Sequence, residues 1–319
     1  MNPLYLTEGD VAATLTVRDA LTLVEDAARA LADGRAQNRP RQRAYLPSSV
    51  VQVLAASYAG RMGHKTYTVA MKGRGARFWC LLFNDGGEML AMIEADTLGQ
   101  IRTGAASGVA TRFLARSDAR TLAVIGTGWQ ARSQLEACFH VRHFTRVLVY
   151  GRDAGKRAAF AEEMSAKIGH AVEAVDSTEA AVRDADVICT MTSASTPVLE
   201  GAWLKSGAHV NAAGSNRANA QEIDVEAVRR AEVIAVEDVA QAKVESGDLH
   251  AANEAGACTW DDVTLLSDII AGKALGRTSD EAITLFESLG IGLWDIAAAS
   301  HVYDRCITEG RGTRLPIPS

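Results

Sequence analysis

Residues 121–131 read TLAVIGTGWQA: a five-residue apolar run, two glycines one residue apart, then Trp129, Gln130 and the small Ala131. The run 121–125 is expected to be a buried strand. ARSQLEACF (131–139) is expected to be a helix with Ala131, Leu135, Cys138 and Phe139 on one face. A second apolar run, RVLVY, follows at 146–150. A GxGxx(G/A) turn taken alone is weak evidence, but between a strand and a helix each small residue has a task. Gly126 turns the chain, Gly128 lacks a β-carbon where a pyrophosphate would approach, and Ala131 lets the helix close on the strand. The first N–H groups of the helix and the positive end of its dipole favour phosphate. The segment implies a dinucleotide site with Gly126, Thr127, Gly128, Gln130 and Ala131 as contacts.

The end of the second strand bears on which dinucleotide. It reads VLVYGRDAGKR (147–157), with Arg152 where an acidic residue would bind the ribose 2′-hydroxyl of NAD. A guanidinium there suits a 2′-phosphate. Asp153 is expected to cap the next helix. The reading favours NADP(H), with NAD(H) the alternative.

Outward from the turn, strands are expected at 121–125, 145–150, 186–190, 208–212 and 232–236. They alternate with helices at 129–140, 153–168, 178–184, 224–230 and 238–246. Such alternation marks a parallel sheet covered on both faces. Before residue 115 the rhythm differs. Val17, Leu21, Val24, Ala28 and Leu31 form one stripe of a helix that Gly34 would stop. Strands are expected at 50–58, 64–71, 76–83 and 88–94, with Asp85-Gly86-Gly87 as a hairpin turn, and a helix at 97–115. A last helix is expected near 293–308, followed by an extended tail. The fold class is α/β: a Rossmann-type doubly wound parallel sheet at 116–292, plus a smaller α+β domain at 1–115.

The chain has 319 residues, a net charge of −6, 48% hydrophobic residues and five scattered cysteines without a CxxC pair. That length can bury a large core. The charge provides no basic field for nucleic acid. The cysteines argue against a disulfide framework or zinc site and fit a reducing compartment. The seven histidines show no metal-ligand spacing. No apolar run reaches the ~20 residues that span a bilayer, and the start MNPLYLTEGD lacks a signal-peptide pattern. A cytoplasmic protein is expected, with no metal, nucleic-acid or membrane partner.

Several segments together resemble the ornithine cyclodeaminase/μ-crystallin family over nearly the whole length. They are RPRQRAYLP, GHKTYT, LGQIRTGAASGVATRFLA, AVIGTGWQARSQLEA, ADVICTMTSASTPVLEGAWLKSGAHVNAAGSN, VESGDL and FESLGIGLWDIAAA. The resemblance implies a dimerising substrate domain into which the C-terminal segment 293–319 returns, a Rossmann domain, and a small amino or imino acid substrate. It implies a carboxylate clamp of Arg41, Lys65 and Arg102, with Arg43 replacing Arg41 if the alignment shifts by two. Arg grips a carboxylate with paired hydrogen bonds, and Lys adds a compact charge and a mobile proton.

Arg102 and its neighbour Thr103 could equally meet the coenzyme phosphates. Thr192 and Ser193, after one sheet strand, and Gly214, Ser215 and Asn216, after the next, are expected coenzyme contacts, because ligands of open α/β sheets lie at the carboxyl ends of strands. Leu289 and Gly290 match the segment that lines the substrate site.

Asn216 stands where cyclodeaminases carry an acid, and Ala220 where they carry a lysine. Asn cannot take up a proton, so at the reacting centre Asn216 fits reduction of a formed imine better than ammonia loss. The expected activity, with Lys65 and Asn216 at the reacting centre, is NAD(P)H-dependent reduction of a cyclic imino acid of the ketimine or pyrroline-2-carboxylate type. The alternatives are an ornithine cyclodeaminase-like lyase, an alanine-dehydrogenase-like enzyme and a non-enzymatic NADPH-binding crystallin.

Overall fold

Two threonine capping boxes start the chain: Thr7 caps the helix Glu8–Thr14, and Thr16 caps Val17–Ala32. The structure is a computed structural model and describes residues 2–70 and 76–317. The last residue of the expected strand 64–71 and the end of the segment 293–319 lie outside the described residues. The chain divides into two compact units, Met1–Arg102 with Ile291–Ser319, and Thr103–Gly290. The division falls inside the helix Asp96–Leu114.

The first unit contributes β1 (Leu4–Leu6), β2 (Ala36–Asn38), β3 (Gln42–Leu46), β4 (Ser49–Tyr58), β5 (Arg61–Ala70), β6 (Arg77–Asn84) and β7 (Met89–Glu94). The Asp85-Gly86-Gly87 turn joins β6 to β7. Its register is fixed by the Gly87 N–H on the Asn84 carbonyl and the Asn84 N–H on that of Glu88.

The second unit carries β8 (Thr121–Ile125), β9 (Arg146–Tyr150), β10 (Val172–Ala174), β11 (Val187–Thr190), β12 (His209–Ala212), β13 (Ala231–Val236), β14 (Val263–Leu265) and β15 (Ile283–Glu287). The chain then re-enters the first unit with the helix Gly292–Glu309 and β16 (Thr313–Arg314).

The second unit's sheet has the order β10-β9-β8-β11-β12-β15-β13-β14, and every pairing is parallel. Alternate residues of β8 enter two cores. Ala123 and Ile125 pack with Ile188 and Val210, while Leu122 and Val124 pack with Ala131, Leu135 and Val149. A strand buried on both faces reads as an unbroken apolar run, which is why TLAVI does not alternate. Strand order reverses between β8 and β11, and the connections after those strands leave in opposite directions, opening a crevice at their carboxyl ends.

In the first unit the order is β16-β1-β7-β6-β5-β4-β2, with β3 also on β4. The sheet is mixed: β1 runs parallel to β7, whereas β4 to β7 are antiparallel. Its inward positions include Leu54, Cys80, Leu82, Ala91 and Ile93, all 0% exposed. The helix Gly292–Glu309 packs on β4, β5 and β6. Lys65 occupies one of these inward positions, opposite Leu54 on β4 and Cys80 on β6.

Candidate functional site

In the first unit, strand alternation turns Lys65 toward the core and His64 to the other face. The Lys65 Nζ donates to Asp295 Oδ1 at 2.9 Å, and the Arg102 Nε donates to the same oxygen at 2.8 Å. All three side chains are buried. The rings of Tyr67 and Phe78 stand 5.8 and 5.9 Å from Nζ.

Burial, the neighbouring Arg102 and Arg41 charges, and the opposing pull of Asp295 together bring the Lys65 amine down to about 8. Arg41 is also buried and close enough to act on Lys65. Arg43 instead donates to Gln52 Oε1 at 3.2 Å, the oxygen that also accepts the Tyr67 hydroxyl at 2.9 Å. Arg39 is exposed. Arg41, Lys65 and Arg102, the three residues expected to form the carboxylate clamp, therefore share one electrostatic neighbourhood, and Arg43 does not replace Arg41 there.

In the second unit, the turn after β8 lies at the strand-order reversal. Gly126 has φ +121°, and a β-carbon there would stand 2.1 Å from the Met191 carbonyl oxygen. The next loop therefore passes against the turn. At Gly128 an added β-carbon would meet nothing within 4 Å. Gly128 is also the N-cap of the helix Trp129–Val141 and has no side-chain cap bond. A turn packed tightly behind and open in front, facing a helix N-terminus, fits the pyrophosphate of a dinucleotide. Ala131 is fully buried beneath it, while Thr127 and Gln130 are half-buried. Thr103 accepts Gln134 Nε2 through its carbonyl at 3.4 Å.

At the end of β9, Arg152 is exposed. Asp153 caps the helix Ala154–Ile168 by accepting the Lys156 N–H at 2.9 Å. Arg157 donates to the Gly151 carbonyl and pairs with Asp176.

The loops after β11 and β12 are joined by a residue that sequence reasoning did not single out. Buried Glu222 accepts the Thr192 N–H at 2.6 Å, the Gly214 N–H at 2.7 Å and the Thr190 hydroxyl at 2.9 Å. Ser193 is exposed and Asn216 half-buried. Ser215 Oγ accepts the Arg217 N–H at 3.3 Å. After β13, Asp238 caps the helix Val239–Glu245, whereas Glu237 turns inward and accepts the N–H groups of Leu289 and Gly290 at 2.9 and 3.2 Å. Gly290 has φ +71°, a conformation open to glycine. Among the described residues no group of three or more His, Cys, Asp or Glu is arranged to hold a metal ion, and no helix is long and apolar enough to cross a membrane.

The sequence pattern of the ornithine cyclodeaminase/mu-crystallin family matches residues 1–310. The chain belongs to that family.

Among its relatives, a Delta(1)-pyrroline-2-carboxylate reductase of Bacillus cereus is 42% identical over 230 residues, 72% of this chain and 70% of its own. The solved structure of a Thermococcus litoralis Delta(1)-pyrroline-2-carboxylate reductase in complex with NADH and L-proline superposes with a TM-score of 0.93. It is 30% identical, and the match covers 98% of this chain and 100% of that one. An archaeal alanine dehydrogenase dimer with bound NAD gives 0.94 at 30% identity, covering 99% and 100%. In this member of the ornithine cyclodeaminase/mu-crystallin family, the unanticipated acid of the first unit, Asp295, did leave a signal. It is the one charge in the buried run Gly292–Ala299, and a lone carboxylate in such a run calls for a buried partner.

Proposed function

We propose that this chain is an NAD(P)H-dependent reductase of a cyclic imino acid of the pyrroline-2-carboxylate or ketimine type. The observation that carries the reading is the convergence of Lys65 and Arg102 on one oxygen of Asp295. Two buried cations share one buried carboxylate, so the neighbourhood is short of negative charge, and a substrate carboxylate supplies it. The two pyrroline-2-carboxylate reductases among the relatives named above support the same substrate class.

Bound at the glycine turn, the nicotinamide coenzyme supplies the hydride. Arg102, Lys65 and Arg41 hold the substrate carboxylate and so fix the orientation of its C=N carbon. Hydride addition at that carbon would move the C=N π pair to nitrogen and leave it in need of one proton, which the Lys65 ammonium would give and solvent restore. The products are the cyclic amino acid and oxidised coenzyme. Leu289 and Gly290 line the substrate side, with Glu237 holding their backbone. Asn216 donates and accepts hydrogen bonds there without exchanging a proton, which favours reduction over cyclising ammonia loss.

Thr192, Ser193, Gly214 and Ser215 contact the coenzyme, as does Thr103 from the helix Asp96–Leu114. Arg152 takes the 2′-phosphate of NADP(H), since Asp153, the acid next to it in sequence, is spent on a helix cap. The chain works as a homodimer. Tyr45 and Leu46 of β3 are each 68% exposed and suit contact with a second copy.

The test is NADPH and NADH oxidation with pyrroline-2-carboxylate and its six-membered ring analogue, in the wild type and Lys65→Ala. The expected result is turnover that falls at least a hundredfold in the variant. A protein that binds coenzyme yet turns over no cyclic imino acid, but oxidises alanine or releases ammonia from ornithine, would replace the reading with one of the family's other activities. Equal NADPH and NADH affinities, unmoved by Arg152→Ala, would remove the NADP(H) preference.

A further inference from the structure

Lys65 and Arg102 reach Asp295 in an unusual way. An acid that neutralises an arginine frequently takes its fork with both oxygens. Here Oδ1 takes both cations, Arg102 approaches side-on through Nε, and the wholly buried Oδ2 accepts no hydrogen bond from the described residues. Each cation spends one N–H on Asp295, out of the roughly three an ammonium and five a guanidinium possess. The remaining donors stay available to a second anion.

We propose that Asp295 is the positioning residue of the substrate clamp: its Oδ1 sets the spacing of the Lys65 ammonium and the Arg102 guanidinium so that their other donors converge on one carboxylate, and its charge keeps Lys65 protonated for the proton it gives to the imine. This rests on the imine-reductase reading and adds a residue to it.

The surroundings of Lys65 leave the task to Asp295. From the helix Asp96–Leu114 comes Arg102, and from the segment before β3 comes Arg41, both positive. On β5 itself, the Tyr67 hydroxyl is committed to Gln52. On β6, Cys80 lies directly across, and burial pushes its thiol up, so it stays neutral. Phe78 offers only a ring. Asp295, from the helix Gly292–Glu309, is the negative charge among the groups that act on Lys65. Burial and two guanidinium groups lower the amine, and Asp295 raises it. Without that acid the amine would lose its proton at a lower pH.

The experiment is Asp295→Asn, an isosteric change that removes the charge. The alkaline limb of kcat/KM for imine reduction is expected to move at least one pH unit toward acid. The KM of the imino acid is expected to rise at least tenfold, while coenzyme affinity, read by fluorescence titration, stays as in the wild type. Asp295→Glu, which restores the charge, should return the limb toward its wild-type position. A limb that stays in place in Asp295→Asn overturns the proposal, because a purely structural role would lower activity at every pH alike.

Should Asp295→Asn fold poorly, Lys65→Met is added to it. The double variant must melt above Asp295→Asn alone, since the uncompensated buried ammonium is gone; no recovery overturns the proposal. That comparison uses no substrate, so it still decides the role of Asp295 if the wild type proves inert to imino acids, an outcome that would overturn the function instead.

Discussion

Glu222 holds the backbone of Thr192: its Oε1 accepts the Thr192 N–H at 2.6 Å, while Oε2 accepts the N–H of Gly214 at 2.7 Å. One buried side chain thereby sets the distance between the loops that follow two neighbouring strands of the parallel sheet. Those loops flank the crevice where a dinucleotide binds in open α/β folds.

Glu222→Gln keeps the shape but has one oxygen where the carboxylate has two. Its amide NH2 must then face an N–H donor, at Thr192 or at Gly214. The loss of one charge-assisted hydrogen bond, about 1.5–3 kcal/mol, is expected to weaken coenzyme binding roughly tenfold or more, with a smaller effect on kcat at saturating coenzyme. Fluorescence titration with NADPH and NADH checks this, and an unchanged Kd would show that the loop spacing does not matter to the coenzyme.

Much of this arrangement is legible in the sequence, and what is missed has physical causes. TLAVI, the glycines and the helix after them declare strand, turn and helix because each is a local pattern. The alternation of β4 to β7 and the Asp-Gly-Gly turn are equally local. The strand Ile283–Glu287 was not expected, although it lies in the sheet between β12 and β13. Its five residues carry no turn signal of their own, and its place depends on pairing with strands far away in sequence. No strand was expected between Pro40 and Pro47, where β3 lies; prolines just outside an outlying strand that pairs only with β4 interrupt no ladder. For the site, Lys65 and Arg102 could be named from their segments, but the oxygen they share belongs to a residue 230 and 193 positions away from them. Glu222, in the loop between β12 and the next helix, announces nothing locally, and Glu237, directly after β13, reads as a helix cap, the role that Asp238 takes.

The two glycines of the turn are expected to separate stability from binding. At Gly126 a side chain meets the Met191 carbonyl and an unfavourable φ of +121°. Gly126→Ala should cost about 1–3 kcal/mol of strain, visible as a lower melting temperature without coenzyme. At Gly128 the backbone is extended with φ −82°, and nothing lies within 4 Å of an added β-carbon. Gly128→Ala should melt like the wild type and yet bind coenzyme at least tenfold more weakly, because the methyl stands where the pyrophosphate approaches. Undiminished coenzyme binding by Gly128→Ala would place the phosphates elsewhere.

Asp248 underlies the same loops and is expected to give stability a pH dependence. Its Oδ1 accepts the N–H groups of Glu222 and Ile223 at 2.9 and 3.0 Å. Burial, reinforced by the Glu222 charge, pushes its carboxyl up to about 7, against 3.8 for a solvated aspartate. A carboxyl raised in the folded state favours folding while it is protonated. That contribution is fully present below the unfolded value near 4, declines as pH rises between about 4 and 7, and is lost above the folded value. Asp248→Asn retains an oxygen for both N–H groups and has no charge to bury. The variant should therefore melt several degrees above the wild type at pH 8, and the gap should close as pH falls toward 4. Calorimetry across that range decides it. A gap that is constant with pH, or widest in acid, would mean that Asp248 is ionised in the folded protein throughout and that its two backbone hydrogen bonds outweigh its burial.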